Sequence, residues 1–239
     1  MLEILRSLLL SFFAVAVLLP VVRFAMRRMS EGSPEDTLTP NELKYLQKQE
    51  WKLTWAYFFF ACVLAVFSAG VLAMVSSIIH SASRDFLHLL TPNFSALFAP
   101  GLLLGLTLAV IPLRLAQSSF LGHDYALYKT YLQQAEGRNS MRLWRILFIV
   151  MLVLSGILIS FAMRWHVAIG TDQIKVTNLL SEVRTYPMSA INKIEYLGGE
   201  GEYLITFNDN TNINTTYLKP VQLEMIALLS EKSGKKVVR

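Results

Sequence analysis

Two histidines of this sequence have side chains that could bind a metal ion. His80 and His88 flank a short connection, residues 81–94, and imidazole nitrogens can bind a transition-metal ion. A protein metal site normally has three or four protein ligands, and no third ligand is evident nearby in the sequence. We therefore interpret both histidines as interfacial or loop residues and predict no metal site.

His123 and Asp124 are the only adjacent pair of a histidine and an acid in the sequence. Successive helix side chains point about 100° apart, so these two would not naturally form a catalytic dyad. The sequence also has no G-x-S-x-G, H-E-x-x-H, P-loop or Rossmann fingerprint. We predict a protein that is not an enzyme, with no catalytic residue and no cofactor. An enzyme that combines His80, His88 and His123 is the third hypothesis.

The composition is that of a membrane protein. Of the 239 residues, 54% are hydrophobic and 16% are charged, whereas soluble domains have about 25% charged residues. The net charge is +5, and much of it lies beside apolar segments, where it governs membrane orientation. No basic stripe interleaved with aromatic residues occurs in the sequence, so we predict no nucleic-acid partner.

Four apolar segments are long enough to cross a bilayer whose hydrocarbon core is about 30 Å thick. The predicted spans cover residues 7–26, 55–79, 97–113 and 146–163. Each apolar stretch contains no Asp, Glu, Lys or Arg between its flanking charges, which for the first stretch, residues 7–22, are Arg6 and Arg23. Ionisable residues inside a membrane are usually functional, so their absence from these segments argues against an enzyme or an ion-coupled transporter.

Turn and capping signals mark the ends of two of these segments. Residues 30–34 have turn chemistry, and Thr39-Pro40-Asn41-Glu42 predicts the start of a short helix before the second span. Pro100 fits the first turn of the third span, and Pro112 fits its far end. The sequence therefore predicts a short helix through Leu43, Leu46 and Gln47 in the polar connection of residues 30–50, followed by a second span from Trp55.

Small residues line faces of two predicted spans. Ala65, Ala69 and Ala73 recur every four positions, and Gly101-Leu-Leu-Leu-Gly105 is a GxxxG motif. Such faces let helix backbones approach closely. These five residues are our candidates for helix packing, either within the bundle or with a partner.

The distribution of Lys and Arg predicts the orientation. Residues 23–52 contain six basic residues and residues 114–145 contain five, whereas the opposite side has Arg6, Arg84 and Arg164. Basic connections stay in the cytoplasm, so both long connections should be inside and both termini outside. We predict a multi-pass protein of a bacterial inner membrane with its termini in the periplasm.

From Trp165 onward the sequence changes to short alternating strands. The predicted strands lie at residues 167–169, 174–179, 183–187, 191–196, 203–207 and 213–218. Ile191 and Ile194 should both face the core across a slight irregularity. We therefore divide the chain into a membrane domain, residues 1–164, and a small soluble domain, residues 165–239.

Turn and cap residues delimit the last elements of this soluble domain. Residues 198–201 should form a loop, and residues 208–211 should connect a hairpin. Pro220 predicts the start of a final helix that presents Val221, Met225, Leu228 and Leu229 on one face, and Gly234 predicts its C-cap.

The soluble domain resembles the bacterial pleckstrin-homology-like (PH-like) domains that are attached to membrane helices. The resemblance lies in residues 167–176, residues 186–194, and the final hairpin and helix. It implies a partly open barrel capped by the helix, typically a binding or assembly module. Lipid-binding relatives carry a basic cluster at the first hairpin, whereas this turn has Thr171, Asp172 and Gln173 with only Lys175 close by.

These observations favour a non-enzymatic membrane protein that presents a membrane-proximal binding domain. It would act as a scaffold, an assembly factor or an accessory subunit of a larger membrane complex. Its expected partners are membrane lipids and other membrane-protein subunits, or further copies of itself. The alternative hypothesis is a small transporter or channel component for a lipid or an apolar solute.

Overall fold

The computed structural model of the chain describes residues 2–30, 38–81, 86–199 and 201–238. The helices are α1 Leu2–Met29, α2 Pro40–Ser81, α3 Phe94–Leu108, α4 Val110–Leu121, α5 Tyr125–Glu136, α6 Ser140–Arg164 and α7 Leu223–Ser233. The strands are β1 His88–Leu90, β2 His166–Ile169, β3 Gln173–Thr177, β4 Val183–Pro187, β5 Ile191–Tyr196, β6 Tyr203–Phe207, β7 Asn212–Asn214 and β8 Val237–Val238. Except for residue 30, the predicted turn at residues 30–34 lies outside the described residues.

Four helical segments of the described chain are long and apolar enough to cross a membrane. They are Ile4–Met29, Pro40–His80, Phe94–Glu136 and Ser140–Arg164. Each contains one of the predicted spans, and all four extend beyond it. The prediction of four apolar helices followed by a β-rich region is therefore confirmed.

α2 joins two elements that the sequence analysis kept apart. Thr39 and Glu42 form a capping box, in which the Thr39 N–H donates to the Glu42 carboxylate at 2.8 Å and the Glu42 N–H donates to the Thr39 hydroxyl at 3.4 Å. The helix then continues for 42 residues without a break. The prediction of a separate short helix was wrong, because no Gly or Pro interrupts the chain between Pro40 and the apolar residues of the span.

The third apolar segment is interrupted by a proline. α3 begins at Phe94 rather than at about residue 97, so Pro100 lies inside the helix and not in its first turn as predicted. Pro112 has no N–H to donate to the Leu108 carbonyl and its ring crowds that turn, which explains why α3 and α4 separate at Ala109. The polar continuation through α5 buries Tyr128 and Tyr131.

The chain separates into two compact units. One comprises Met1–Ser68 and Gly101–Gly156, and the other comprises Ala69–Pro100 and Ile157–Arg239. The first, which we call the helical unit, contains one core around Val15, Ala61 and Leu106 and another around Leu46, Leu53, Leu121, Tyr128 and Tyr131.

The second unit, which we call the β unit, contains two four-stranded sheets. Their strand orders are β1-β2-β3-β4 and β7-β6-β5-β8, and every pairing is antiparallel except that of β5 with β8. Side chains from both sheets and from α7 form one apolar core, in which Ile174, Ile194, Phe207 and Leu229 are fully buried.

Most of the predicted strands are confirmed. β4 ends at Pro187 as expected, and β5 has an irregularity between Ile191 and Lys193 that keeps both Ile191 and Ile194 in the core. β3 ends at Thr177, before Leu179, and β7 ends at Asn214 because the chain then turns into a 3-10 helix at Thr215–Tyr217.

The last helix begins later than predicted. α7 starts at Leu223 because the backbone of Gln222 is extended, with ψ of 145°, and the N–H of Val221 donates to the Gly201 carbonyl at 3.1 Å. Val221 is nevertheless buried in the core with Met225 and Leu229. Gly234 is the C-cap in the left-handed conformation, as predicted, with φ of 68°.

Candidate functional site

A strand from the connection between two apolar helices completes one sheet of the β unit. β1 lies between α2 and α3 and pairs with β2, with Leu90 opposite Val167. The Leu87 N–H extends this pairing by donating to the Ile169 carbonyl at 3.0 Å. The prediction of a loop throughout residues 81–94 was wrong for β1, which is too short to show alternation in the sequence. The connection between the helices is thus part of the β sheet.

Asn93 links the start of α3 to the segment that follows β7. Its side-chain Nδ2 donates to the carbonyls of Thr216 and Leu218 at 2.8 and 3.0 Å, and its Oδ1 accepts from the Ala96 N–H at 3.0 Å. Its backbone N–H donates to the Tyr217 carbonyl at 3.1 Å. One side chain therefore caps α3 and also joins the start of that helix to the segment that follows β7.

A groove of about 900 Å³ lies beside β5 and the start of α7. Its lining residues are Tyr196, Gly201, Tyr203, Pro220, Val221, Gln222, Leu223, Val237 and Val238. Among the described residues, β8 pairs with β5 at Ile194 and Glu195. Leu223 at the rim is 79% exposed. A groove that exposes apolar side chains can bind an extended apolar segment of a partner.

His80 and His166 lie in contact in the β unit, with ring centroids 4.6 Å apart. The Nδ1 atoms lie 2.7 Å from the Ser76 carbonyl and 2.9 Å from the Arg164 carbonyl, respectively. Because a carbonyl only accepts, each Nδ1 carries a proton and donates. The described residues contain no group of three or more metal-ligating side chains. This pair joins the end of α2 to the start of β2.

Acidification is expected to destabilise this contact. Burial lowers the pKa of His166 below its ordinary value of 6.5, and the positive charges of His80 and Lys175 lower it further, while the hydrogen bond to the Arg164 carbonyl opposes them. The unfolded chain therefore binds more protons than the folded one below about pH 6.5. The contribution of His166 to the free energy of unfolding should be constant above this pH and fall as the pH drops through 6.5 toward the folded pKa.

The measurement is the thermal unfolding midpoint of the full chain in detergent at pH 7.5 and 5.5. His166→Gln should flatten the loss of stability between the two pH values, and His88→Gln, a change at a histidine of β1, should leave it as in the wild type. Equal pH dependence of the wild type and His166→Gln would contradict the prediction.

The helical unit contains a polar cluster of its own. Arg23 of α1 lies 3.0 Å from Glu50 of α2, and the Tyr131 hydroxyl donates to the same carboxylate at 2.6 Å. The Trp144 indole donates to Glu136 at 2.7 Å. These contacts join α1, α2 and α5 to one another and α5 to α6. We therefore interpret the cluster as one that stabilises the packing of these helices. Asp124 accepts from the Tyr45 hydroxyl at 2.9 Å, so its carboxylate has a partner other than His123.

The candidate packing residues lie at different depths. A Cβ added to Gly105 would lie 2.3 Å from the backbone nitrogen of Ala65, which places α3 directly against α2 at this point. Ala69 and Gly101 are buried, and Ala73 is half-buried.

Sequence reasoning missed the residues that fasten the elements together, namely Arg23, Glu50, Asn93 and His166. Asn93 carried a usable signal, since Asn before an apolar helix is a favoured N-cap. No family model, curated protein or solved structure matches this chain.

Proposed function

We propose that the chain is a non-enzymatic multi-pass membrane protein that presents a membrane-proximal binding domain. It acts as a scaffold, an assembly factor or an accessory subunit of a larger membrane complex. The observation that carries this proposal is the pairing of β1 with β2, because β1 belongs to the connection between two apolar helices. A binding surface built in this way keeps a constant position relative to the end of α2 and the start of α3.

We also propose that this binding domain has a PH-like fold. Two four-stranded sheets around one core, followed by the helix α7, support this assignment. Two features go beyond the sequence resemblance: β1 is supplied by the connection between α2 and α3, and β8 adds a parallel strand beside β5. The proposal assigns the domain a binding role rather than a reaction.

The proposed location is a bacterial inner membrane, with the β unit in the periplasm. The pairing of β1 with β2 supports one part of this topology, since it requires the connection after α2 and the segment after α6 to lie on the same side. The excess of Lys and Arg in residues 23–52 and 114–145 supports a cytoplasmic position for the two long connections.

The proposed partner is another membrane-protein subunit that places an extended apolar segment in the groove beside β5. The aromatic side chains of Tyr196 and Tyr203 and the exposed side chain of Leu223 supply apolar contact along this groove. Aromatic residues contribute disproportionately to the binding energy of protein interfaces.

The test is purification of the tagged full chain in mild detergent from its native membrane. We expect a stoichiometric membrane-protein partner, and we expect Leu223→Asp to lower its recovery about tenfold, the factor that corresponds to 1.4 kcal/mol of binding free energy. Ser189→Asp is the matched control, because Ser189 is also exposed and lies outside the groove lining.

Recovery of the chain as a lone monomer would contradict the scaffold proposal. Recovery with a partner that Leu223→Asp does not affect would contradict the groove as its binding site. Transport of a lipid or an apolar solute by the purified monomer in vesicles would favour the alternative hypothesis, a transporter or channel component.

A further inference from the structure

The turn between β3 and β4, residues 178–182, carries an exposed apolar tip. Leu180 is 73% exposed, Leu179 is 49% exposed, and Val183 directly after the turn is 53% exposed. Turns that face water are dominated by Gly, Pro, Asn, Asp and Ser. Full burial of one leucine side chain is worth roughly 1.5–3 kcal/mol relative to exposure. The tip is therefore apolar where water-facing turns are usually polar.

Hydrogen bonds hold this turn in one conformation. The Asn178 side-chain oxygen accepts from the N–H groups of Leu180 and Glu182, both at 2.9 Å. The Ser181 N–H donates to the Asn178 carbonyl at 3.0 Å, and Ser181 has the unusual positive φ of 65°. The two leucines are thus presented outward by a preformed turn.

The tip lies beside the end of an apolar helix. Arg164, the last residue of α6, donates from Nη1 to the Ser181 hydroxyl at 3.2 Å. Leu179 and Ala162 of α6 line the same cavity of about 260 Å³, together with Trp165. The segment Ser140–Arg164 is one of the four that are long and apolar enough to cross a membrane. The turn is therefore at the level where that segment ends.

Arg164 and Trp165 are residue types that mark the headgroup level of a membrane span. Trp is enriched at both membrane interfaces, and Arg at a helix end extends its charge toward the headgroups. The charges of the turn are at its base, where Glu182 accepts from the Asn178 amide at 2.9 Å and lies 3.9 Å from Arg184. The tip itself carries no charge between Asn178 and Glu182.

We infer that the β3–β4 turn is a lipid-binding element that inserts Leu179 and Leu180 into the leaflet in which α6 ends. The inference rests on the proposed function, since it requires α6 to span the membrane. The lipid bilayer is the occupant because the tip is hydrogen-bonded to the last residue of α6. Insertion gives the β unit a second attachment to the bilayer, in addition to the helices themselves.

Fluorescent probes at single cysteines test this inference. Cys62, the only cysteine, is first replaced by Ser. An environment-sensitive fluorophore is then attached to the full chain at Leu180→Cys, Leu223→Cys or Val153→Cys, and each protein is placed in vesicles of phosphatidylcholine and phosphatidylglycerol. Lipids brominated on their acyl chains quench probes within the bilayer, and iodide quenches probes in water.

Leu223 is the matched control in water, because it is the other highly exposed leucine of the β unit, at 79%. Val153, 57% exposed in the middle of α6, is the control for the bilayer. We expect brominated lipid to quench the probe at position 180 at least about threefold more strongly than the probe at position 223, with the reverse order for iodide. A blue-shifted emission at position 180 should accompany this result.

The three positions separate the possible failures. If the probe at position 153 is quenched by lipid while the probe at position 180 behaves like that at position 223, the inference is wrong and the proposed membrane protein stands. If the probe at position 153 is quenched by iodide alone, membrane insertion fails and the inference fails with it. A fourth probe position, Val183→Cys, should show intermediate lipid quenching. The absence of lipid quenching at both position 180 and position 183 would also overturn the inference.

Discussion

Replacing Gly105 with alanine is expected to destabilise the chain far more than the same replacement at Gly70 or Gly156. The new Cβ would lie 2.3 Å from the Ala65 nitrogen and 2.4 Å from its Cα. Both atoms belong to the α2 backbone, so no side-chain rotation can relieve the clash and the helices must separate. Overpacking typically costs 1–3 kcal/mol, and we expect about 3 kcal/mol here.

The measurement is reversible unfolding of the full chain in mixed detergent micelles. Gly70→Ala and Gly156→Ala are the matched controls, since an added Cβ meets nothing within 4 Å at either position. Alanine is also the better helix former by about 1 kcal/mol, so the controls should be neutral or stabilising. A Gly105→Ala protein as stable as these controls would contradict the close contact between α3 and α2.

The sequence predicted that small residues would allow close approach, but it could not say which residues would meet. GxxxG and a four-residue alanine repeat each mark a smooth helix face. Their pairing depends on how far one helix is shifted along and rotated about the other, and many packed side chains fix both quantities. Gly105 against Ala65 is one of several registers that the two motifs allow.

Strands with clear alternation were predictable, whereas elements created by tertiary contacts were not. Ile191 and Ile194 could be assigned to the core even across an irregularity, because both are apolar in a strand bounded by turn residues. The start of α7 could not be predicted, because it depends on a hydrogen bond from the Val221 N–H to the carbonyl of Gly201, which lies in a different loop. β1 forms only because β2 provides a neighbouring edge, and its three residues have no pattern of their own.

The polar contacts escaped prediction for a related reason. In the sequence, Arg23 is one of several basic residues that predict the membrane orientation. In the structure its guanidinium lies 3.0 Å from the carboxylate of Glu50 on the next helix. A charge count treats every basic residue alike and contains no information about pairing. His80 was considered with His88, its neighbour in sequence, whereas its contact is with His166 on a strand much later in the chain.

Asn93 is expected to be the polar residue of the β unit whose removal has the largest effect. Asn93→Ala removes the N-cap of α3, which is worth about 1 kcal/mol. It also removes two hydrogen bonds to the carbonyls of Thr216 and Leu218, in the segment between β7 and α7. A polar group left without its partner costs about 1–3 kcal/mol when buried. Because the site is only partly buried, we expect a total loss of about 3 kcal/mol.

Two further variants, Asn93→Asp and Asn214→Ala, separate the role of Asn93 as a helix cap from its role in bonding the segment after β7. Asn93→Asp keeps an oxygen for the Ala96 N–H but replaces the Nδ2 donor with an acceptor that faces the Thr216 and Leu218 carbonyls. If Asn93 acted only as a cap, Asp would be a neutral replacement, because Asp and Asn are equally good caps. We expect instead that Asn93→Asp is at least as unstable as Asn93→Ala, since three acceptors would then meet without a proton.

Asn214 supplies the matched control on the same connection. Its side-chain oxygen accepts from the exposed Thr216 N–H at 2.9 Å and caps a short 3-10 helix, so Asn214→Ala should cost about 1 kcal/mol or less. The readout is the denaturant midpoint in detergent for all three variants. Asn93→Asp with wild-type stability would reduce Asn93 to a helix cap, and the hydrogen bonds that join residues 91–93 to the segment after β7 would then be those of the Thr91, Pro92 and Asn93 backbone.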